Sequence, residues 1–204
     1  MVAHTSRAGH AKALAQQVKA DFISFDNGLL GCDGNHNTVQ HHLANLPSTW
    51  SLVLEDDAVP VESFRTQLEA ALPMAPSPIV SLYYGRKRPP HWQTRMAKAL
   101  QIAEGCDASW IVASRLLHAV GYAIRTELLP SLLDHDSDLP SDQHISNWAI
   151  RYGHLVSYTV PSLVDHADWP TIVDHPDGDR RTPGRTAWKA GTREHWSTST
   201  VSLM

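Results

Sequence analysis

The sequence predicts one α/β domain, an open and mainly parallel sheet flanked by helices. Three observations carry that prediction. The 204 residues are 42% hydrophobic and 19% charged, enough apolar side chain for a buried core and too little charge for disorder. Short apolar runs alternate with helical patterns through the first half, as βαβ units do. The clearest apolar run, Trp50–Leu54, ends in three consecutive carboxylates, Glu55, Asp56 and Asp57.

Composition excludes several classes. Eleven Gly and 13 Pro are scattered, which rules out collagenous or low-complexity chains. No apolar run approaches the roughly 18–20 residues that cross a bilayer. The opening Met-Val-Ala-His-Thr-Ser-Arg lacks the basic-then-apolar pattern of a signal peptide. Cys32 and Cys106 stand far apart and outside any Cys-x-x-Cys spacing, so no disulfide framework is expected and a reducing cytoplasm is the natural compartment.

The elements follow in order. Val2–His4 reads as a first strand entering the Thr5-Ser6-Arg7 turn. Ala11, Leu14, Ala15 and Val18 recur at i, i+3, i+4 and i+7, one buried helix face. Phe22–Phe25 reads as a strand, and Asp26–Gly34, with three glycines, as a loop. A helix is expected over Thr38–Leu46, stopped by Pro47. After the Trp50–Leu54 strand come a helix around Ser63–Leu72, a strand at Ile79–Leu82 and a helix near Thr94–Glu104. In the strand His118–Ile124, Gly121 signals a bulge or a close backbone approach. Ser141 is the expected N-cap of a helix whose buried stripe is Ile145, Trp148, Ala149 and Tyr152. Leu155–Val160 reads as the last strand, and beyond Asp165 the polar, Pro- and Gly-containing chain reads as an extended tail. No internal repeat is evident.

The net charge of −4 argues against a nucleic-acid binder, but the cations are not spread evenly. Residues 85–98 hold Arg86, Lys87, Arg88, Arg95 and Lys98, and residues 180–193 hold Arg180, Arg181, Arg185, Lys189 and Arg193, with no acid in either window. Brought together by the fold, they make one basic face; left apart, they are two solvated loops.

Candidate chemistry starts at Glu55-Asp56-Asp57. Strand alternation points Glu55 and Asp57 one way and Asp56 the other. Ligands of open α/β sheets bind at the carboxyl ends of strands. Crowded carboxylates there repel unless a cation sits among them, and hard oxygen donors favour magnesium, manganese or calcium. The alternative is an acid cluster that merely suits the next helix N-terminus. His166, just past the last strand in Asp165-His-Ala-Asp168, is placed to reach the same edge, and one imidazole among carboxylates favours manganese. His175 reads as a surface-loop residue. Asp142, in the first turn of a helix, suits an acceptor-binding carboxylate or general base, or is a plain helix-start acid; Gln143 and His144 stand beside it.

These residues resemble a known family. Leu54-Glu-Asp-Asp-Ala-Val59 looks like the metal-binding carboxylate motif of GT-A glycosyltransferases, and especially that of the lipooligosaccharide galactosyltransferase family, family 25. His118–Ile124 with Arg125-Thr-Glu127, Pro140-Ser-Asp-Gln143 and Pro161-Ser-Leu-Val-Asp-His166 resemble later segments of that family, in order, over about Trp50 to Asp168. The resemblance implies a Rossmann-like GT-A domain over residues 1–168 and a tail, 169–204, packing on or near the active site. It implies a nucleotide-sugar donor, expected to be a UDP-sugar, with manganese or magnesium held by Asp57, His166 and Glu55. Thr5, Ser6, Arg7, Glu55 and Asp56 would meet the donor, and Asp142 would act at the acceptor hydroxyl beside Asp57. The first strand is shorter than that family suggests. The tail from Asp177 to Trp188 is more similar in style to small phage-encoded glycosyltransferases, some of which modify hydroxymethylated pyrimidines in viral DNA.

That likeness gives the basic windows a purpose. Arg86, Lys87, Arg88, Arg180, Arg181 and Arg185, with Trp92 and Trp188 nearby, suit phosphates and an unstacked base. The expected acceptor is therefore hydroxymethylcytosine in DNA, and the expected location the cytoplasm, that of the host cell for a phage-encoded enzyme. A lipooligosaccharide or other glycan acceptor is the alternative. A metal-dependent hydrolase or nuclease, and a non-catalytic nucleic-acid-binding module, are readings of other classes. No obligate protein partner is evident.

Overall fold

The structure, a computed structural model, describes residues 1–172 and 183–203. The chain runs β1 (Val2–His4), α1 (Ala8–Val18), β2 (Ser24–Asp26), α2 (Gly31–Leu43), β3 (Trp50–Leu54), β4 (Ala58–Pro60), α3 (Phe64–Ala71) and β5 (Ile79–Ser81). It continues through α4 (Gln93–Gly105), β6 (Trp110–Ala113), β7 (Gly121–Arg125), α5 (Leu129–Leu133), α6 (Ser141–Tyr152), β8 (Val156–Thr159), β9 (Val164–His166) and β10 (Thr200–Ser202).

Six strands form the main sheet in the order β10-β6-β8-β5-β7-β3. The parallel pair β1–β2 adjoins its β3 edge through a parallel bridge from Val2 to Glu55. Side chains alternate across the sheet: Ile79, Ile111, Tyr122 and Ile124 enter one core with α2, α4 and α6, while Val80, Trp110 and Ala123 enter the other with α1 and α3. Both faces are thus covered, and the fold is a single-domain α/β arrangement with flanking helices.

The sheet is mixed, not mainly parallel. β5 is parallel to β8 and β6 to β10, but β7 runs antiparallel to both β3 and β5, and β6 antiparallel to β8. Alternating strands and helices imply parallel neighbours only where successive strands pair. Here β5 lies between β7 and β8, so tertiary placement sets direction. β6 escaped the sequence reading because four consecutive apolar residues carry no period.

Several local expectations hold. Ala11, Leu14, Ala15 and Val18 are the buried face of α1, and β3 spans Trp50–Leu54. A Cβ on Gly121 would lie 3.0 Å from Leu54 Cδ2, so the residue marks a close approach of β7 to its neighbours. Others need correction. Helix α2 begins at Gly31, inside the expected loop, because the Asp26 carboxylate accepts N–H bonds from Gly28, Leu30 and Gly31. Ser141 does not cap α6. Its N–H and hydroxyl both donate to Asp33 Oδ1 on α2, at 2.7 and 2.8 Å. Tyr152 is 52% exposed, outside the buried stripe.

The tail is also more regular than expected. Ala187 bridges to Gly85 and Ala190 to Ser162, β10 adds to the edge of β6, and Trp196 packs on Trp110 with ring centres 5.3 Å apart. Apolar side chains at Ala187, Trp196 and Leu203 give these tail residues surface to bury. No helix among the described residues is long and apolar enough to cross a membrane.

Candidate functional site

A cavity of about 410 Å³ opens where β1 and β3 end side by side. His4 at the end of β1 and Arg7 just after it line the cavity, with Asp26 at the end of β2 and Gly31, Cys32 and Asn35 from the first half of α2. Glu55, Asp56 and Asp57 follow β3, His166 ends β9, and Trp169, Thr171, Ile172 and Arg185 come from the tail. Carboxyl-end placement is where α/β sheets hold ligands.

The three carboxylates do not share one surface. Alternation fails because the strand ends at Leu54 and Asp56-Asp57 form a turn into β4, closed by Ala58 N–H donating to Glu55 O. Asp56 and Asp57 therefore fall together. Arg7 Nη1 donates to Asp56 Oδ1 and Asp57 Oδ2, each at 2.9 Å, and His4 N–H donates to Asp56 Oδ2 at 2.7 Å. The crowded acids have a resident cation, so their proximity alone does not demand a metal. Burial would raise the Asp57 carboxyl, yet His166 and Arg7 beside it hold it below the ordinary carboxylate range. Asp57 Oδ1 is buried without a partner among the described residues. An orphaned hard oxygen on a carboxylate that lines a cavity fits a manganese or magnesium ion.

His166 reaches this edge as expected, with Nε2 3.5 Å from Asp57 Oδ2. Its Nδ1 accepts the Asp168 N–H at 2.8 Å, so in the neutral ring Nε2 carries the proton and faces Asp57 as a donor. Ligation of an ion through Nε2 requires Asp168 N–H to give up that bond. Thr5 and Ser6 form an exposed turn, while Arg7 reaches the cavity and stacks under Trp169, 5.3 Å from the ring centre.

Glu55 belongs to a second cluster. Its Oε1 lies 3.0 Å from His36 Nε2 and 4.0 Å from Cys32 Sγ. His36 Nδ1 is 3.1 Å from the Tyr122 hydroxyl, which accepts from Gln40 Nε2 at 2.9 Å. Donor atoms of Cys32, His36 and Glu55 all lie within 4.8 Å of one another, so this group can coordinate a divalent ion. Sequence reading missed Cys32 and His36. Their i, i+4 spacing was the available signal, hidden because residues 26–34 read as a loop rather than the start of a helix.

Asp142 stands near Glu55, Asp33 and His36, though it does not line the cavity. Burial, with Glu55 and Asp33 adding negative charge, pushes its carboxyl up to about 6. A base poised there changes charge just below neutral pH.

The fold joins the two basic windows. Arg86 N–H donates to Thr186 O at 2.8 Å, Trp188 N–H donates to Tyr84 O at 2.9 Å, and the Arg86 guanidinium lies 5.0 Å over the Trp188 ring. Arg86, Lys87, Arg95 and Lys98 are exposed, and Arg88 is half-buried. Among the described residues of the second window, all three cations have partners of their own. Arg185 turns to Asp168 and the cavity, Lys189 pairs with Glu104, and Arg193 donates to the carbonyls of Ala108 and Val160. Arg180, Arg181 and His175 lie outside the described residues. Comparison with known proteins finds no matching family model and no matching curated protein.

Proposed function

We propose that the chain is a glycosyltransferase of GT-A type that moves a sugar from a nucleotide-sugar donor to a hydroxyl on DNA, with 5-hydroxymethylcytosine as the acceptor base. The observation that carries this reading is the orphaned, buried Oδ1 of Asp57, a carboxylate that meets Arg7 and His166 through Oδ2 and lines a cavity at the carboxyl ends of β1 and β3. A UDP-sugar is the donor implied by the family resemblance.

Asp57 would hold the ion through Oδ1, with Asp56 kept in place by His4 and Arg7. A divalent cation bound there supplies charge to stabilise the leaving diphosphate. Arg7 adds a second positive group at the same edge, and Trp169 covers it from the tail side. Asp142, ionised above about 6, takes the proton of the acceptor hydroxyl. The DNA reading rests on Arg86, Lys87, Arg95 and Lys98, four exposed cations on or beside the loop that meets the tail.

The test is mass spectrometry after incubation with manganese, a panel of nucleotide sugars, and either duplex DNA carrying hydroxymethylcytosine or soluble glycans. Transfer to the modified DNA supports the whole proposal. Transfer to a glycan alone keeps the glycosyltransferase and removes the DNA acceptor. Cleavage of DNA, or turnover of neither acceptor with any donor, overturns the reading.

A further inference from the structure

We propose that Cys32, His36 and Glu55 form a binding site for a borderline-soft divalent ion of zinc type, separate from the Asp57 carboxylate. The inference does not depend on the glycosyltransferase reading. It starts from the donor set. One thiol, one imidazole and one carboxylate combine soft, borderline and hard donors, which suits zinc and disfavours magnesium or calcium.

The geometry is close to what such an ion needs. Tetrahedral bonds of about 2.0–2.3 Å place neighbouring donor atoms roughly 3.3–3.7 Å apart. Glu55 Oε1 is now 3.0 Å from His36 Nε2 and 4.0 Å from Cys32 Sγ, and all three donors lie within 4.8 Å of one another. Cys32 and His36 project from successive turns of α2, and Glu55 leaves the end of β3, so rigid elements carry all three.

The surroundings are arranged to orient the imidazole. His36 Nδ1 meets the Tyr122 hydroxyl, itself held by Gln40 Nε2. A hydroxyl can accept as well as donate, so the ring can carry its proton on Nδ1 and present a bare Nε2 to an ion. On binding, the Cys32 thiol loses its proton to solvent as the sulfur–metal bond forms. Cys32 and Glu55 both line the cavity, which leaves the fourth tetrahedral position for a water or a ligand oxygen.

The test is titration of the reduced full-length protein with cobalt(II), which reports thiolate ligation by a sulfur-to-metal charge-transfer band. Zinc affinity is then read by displacing the cobalt. One equivalent of cobalt should give the band. Cys32→Ser should abolish it and weaken zinc binding at least about 100-fold, while Cys106→Ser and Asp57→Asn should keep it. Glu55→Gln, which preserves side-chain shape, should weaken zinc binding with the thiolate band retained at saturating cobalt. Circular dichroism checks each fold; if Cys32→Ser does not fold, Glu55→Gln and Cys106→Ser decide the matter. Absence of a thiolate band in the wild type, a band that depends on Cys106, or zinc affinity untouched by Glu55→Gln overturns the site.

Discussion

Arg7 Nη1 donates to Asp57 Oδ2 at 2.9 Å, joining residues fifty positions apart, and the same nitrogen reaches Asp56. The contact turns two adjacent carboxylates from a repulsive pair into the acidic side of an ion-pair network. Arg7→Met, which keeps the apolar stem, should destabilise the fold by about 2–3 kcal/mol in urea unfolding at pH 7. This is less than the roughly 3–5 kcal/mol for a fully buried pair, because one side opens to the cavity. The Asp57 carboxyl lies below its ordinary value of 3.8, so this stabilisation is complete above that value and disappears as pH falls through the lower folded one. A stability gap that already narrows between pH 7 and 5 would contradict the pairing.

Asp57→Ala should abolish transfer and also lower stability. Repulsion among the acids alone would leave the fold unharmed, but removing Asp57 strips Arg7 and His166 of a shared partner. Asp57→Asn should lose transfer with a smaller stability cost, since the amide still accepts a hydrogen bond. Chelator should silence the wild type and manganese restore it. Full activity of Asp57→Asn removes this carboxylate from the chemistry.

His118 sets an acid-stability limit. Its Nε2 donates to Arg88 O at 2.8 Å, Nδ1 is buried without a partner among the described residues, and burial lowers the imidazole to about 4 from 6.5. The unfolded chain takes up the proton first, so the contribution is full above about 6.5 and is lost as pH falls toward about 4. His118→Gln, a donor that does not titrate, should flatten the fall of the melting temperature across that window. Identical slopes for the two proteins would show that His118 is freely solvated.

Asp142 gives the opposite sign. Its unfolded carboxyl ionises near 3.8 and its folded one near 6, so wild-type stability falls as pH rises across that interval and stays lower above it. Asp142→Asn should therefore melt at a higher temperature than wild type at pH 7 while cutting transfer by about 10²–10⁴-fold. Transfer by the wild type should rise with pH through about 6. A variant with wild-type rate, or a rate flat from pH 5 to 7, removes the base assignment.

Strands and helices with strong local patterns were legible. The α1 face, β3 and the α4 helix follow from periodicity that tertiary packing had no reason to override. The direction of β7 and the docking of β10 depend on partners distant in sequence, β3 and β5 for the one and β6 for the other, while the start of α2 depends on the nearby Asp26 carboxylate, whose bonds to Gly28, Leu30 and Gly31 a glycine-rich composition does not announce. The same distinction applies to the site. The acidic triplet announced itself as a run, but its division between Arg7 and His36 is set by a turn at residues 56–57 that strand alternation does not describe. Cys32 and His36 stayed hidden for the same reason as the helix that carries them.

The basic face yields the last prediction. Arg86 stacks on Trp188 and donates to its carbonyl, and Lys87 Nζ donates to Pro183 O, so changing either also disturbs the tail. Arg95 and Lys98 on α4 are the cleaner probes, both exposed, with Arg95 5.6 Å from the Trp92 ring centre. If DNA is the acceptor, each phosphate they neutralise releases counterions and contributes about −0.9 to the slope of log affinity against log salt. Arg95→Glu with Lys98→Glu should flatten that slope by up to about 2 and slow transfer to modified DNA. Hydrolysis of the nucleotide sugar by water should continue, because neither side chain lines the cavity. An unchanged slope and rate in the double variant would place the DNA elsewhere, and a wild-type affinity indifferent to salt would remove DNA as the acceptor.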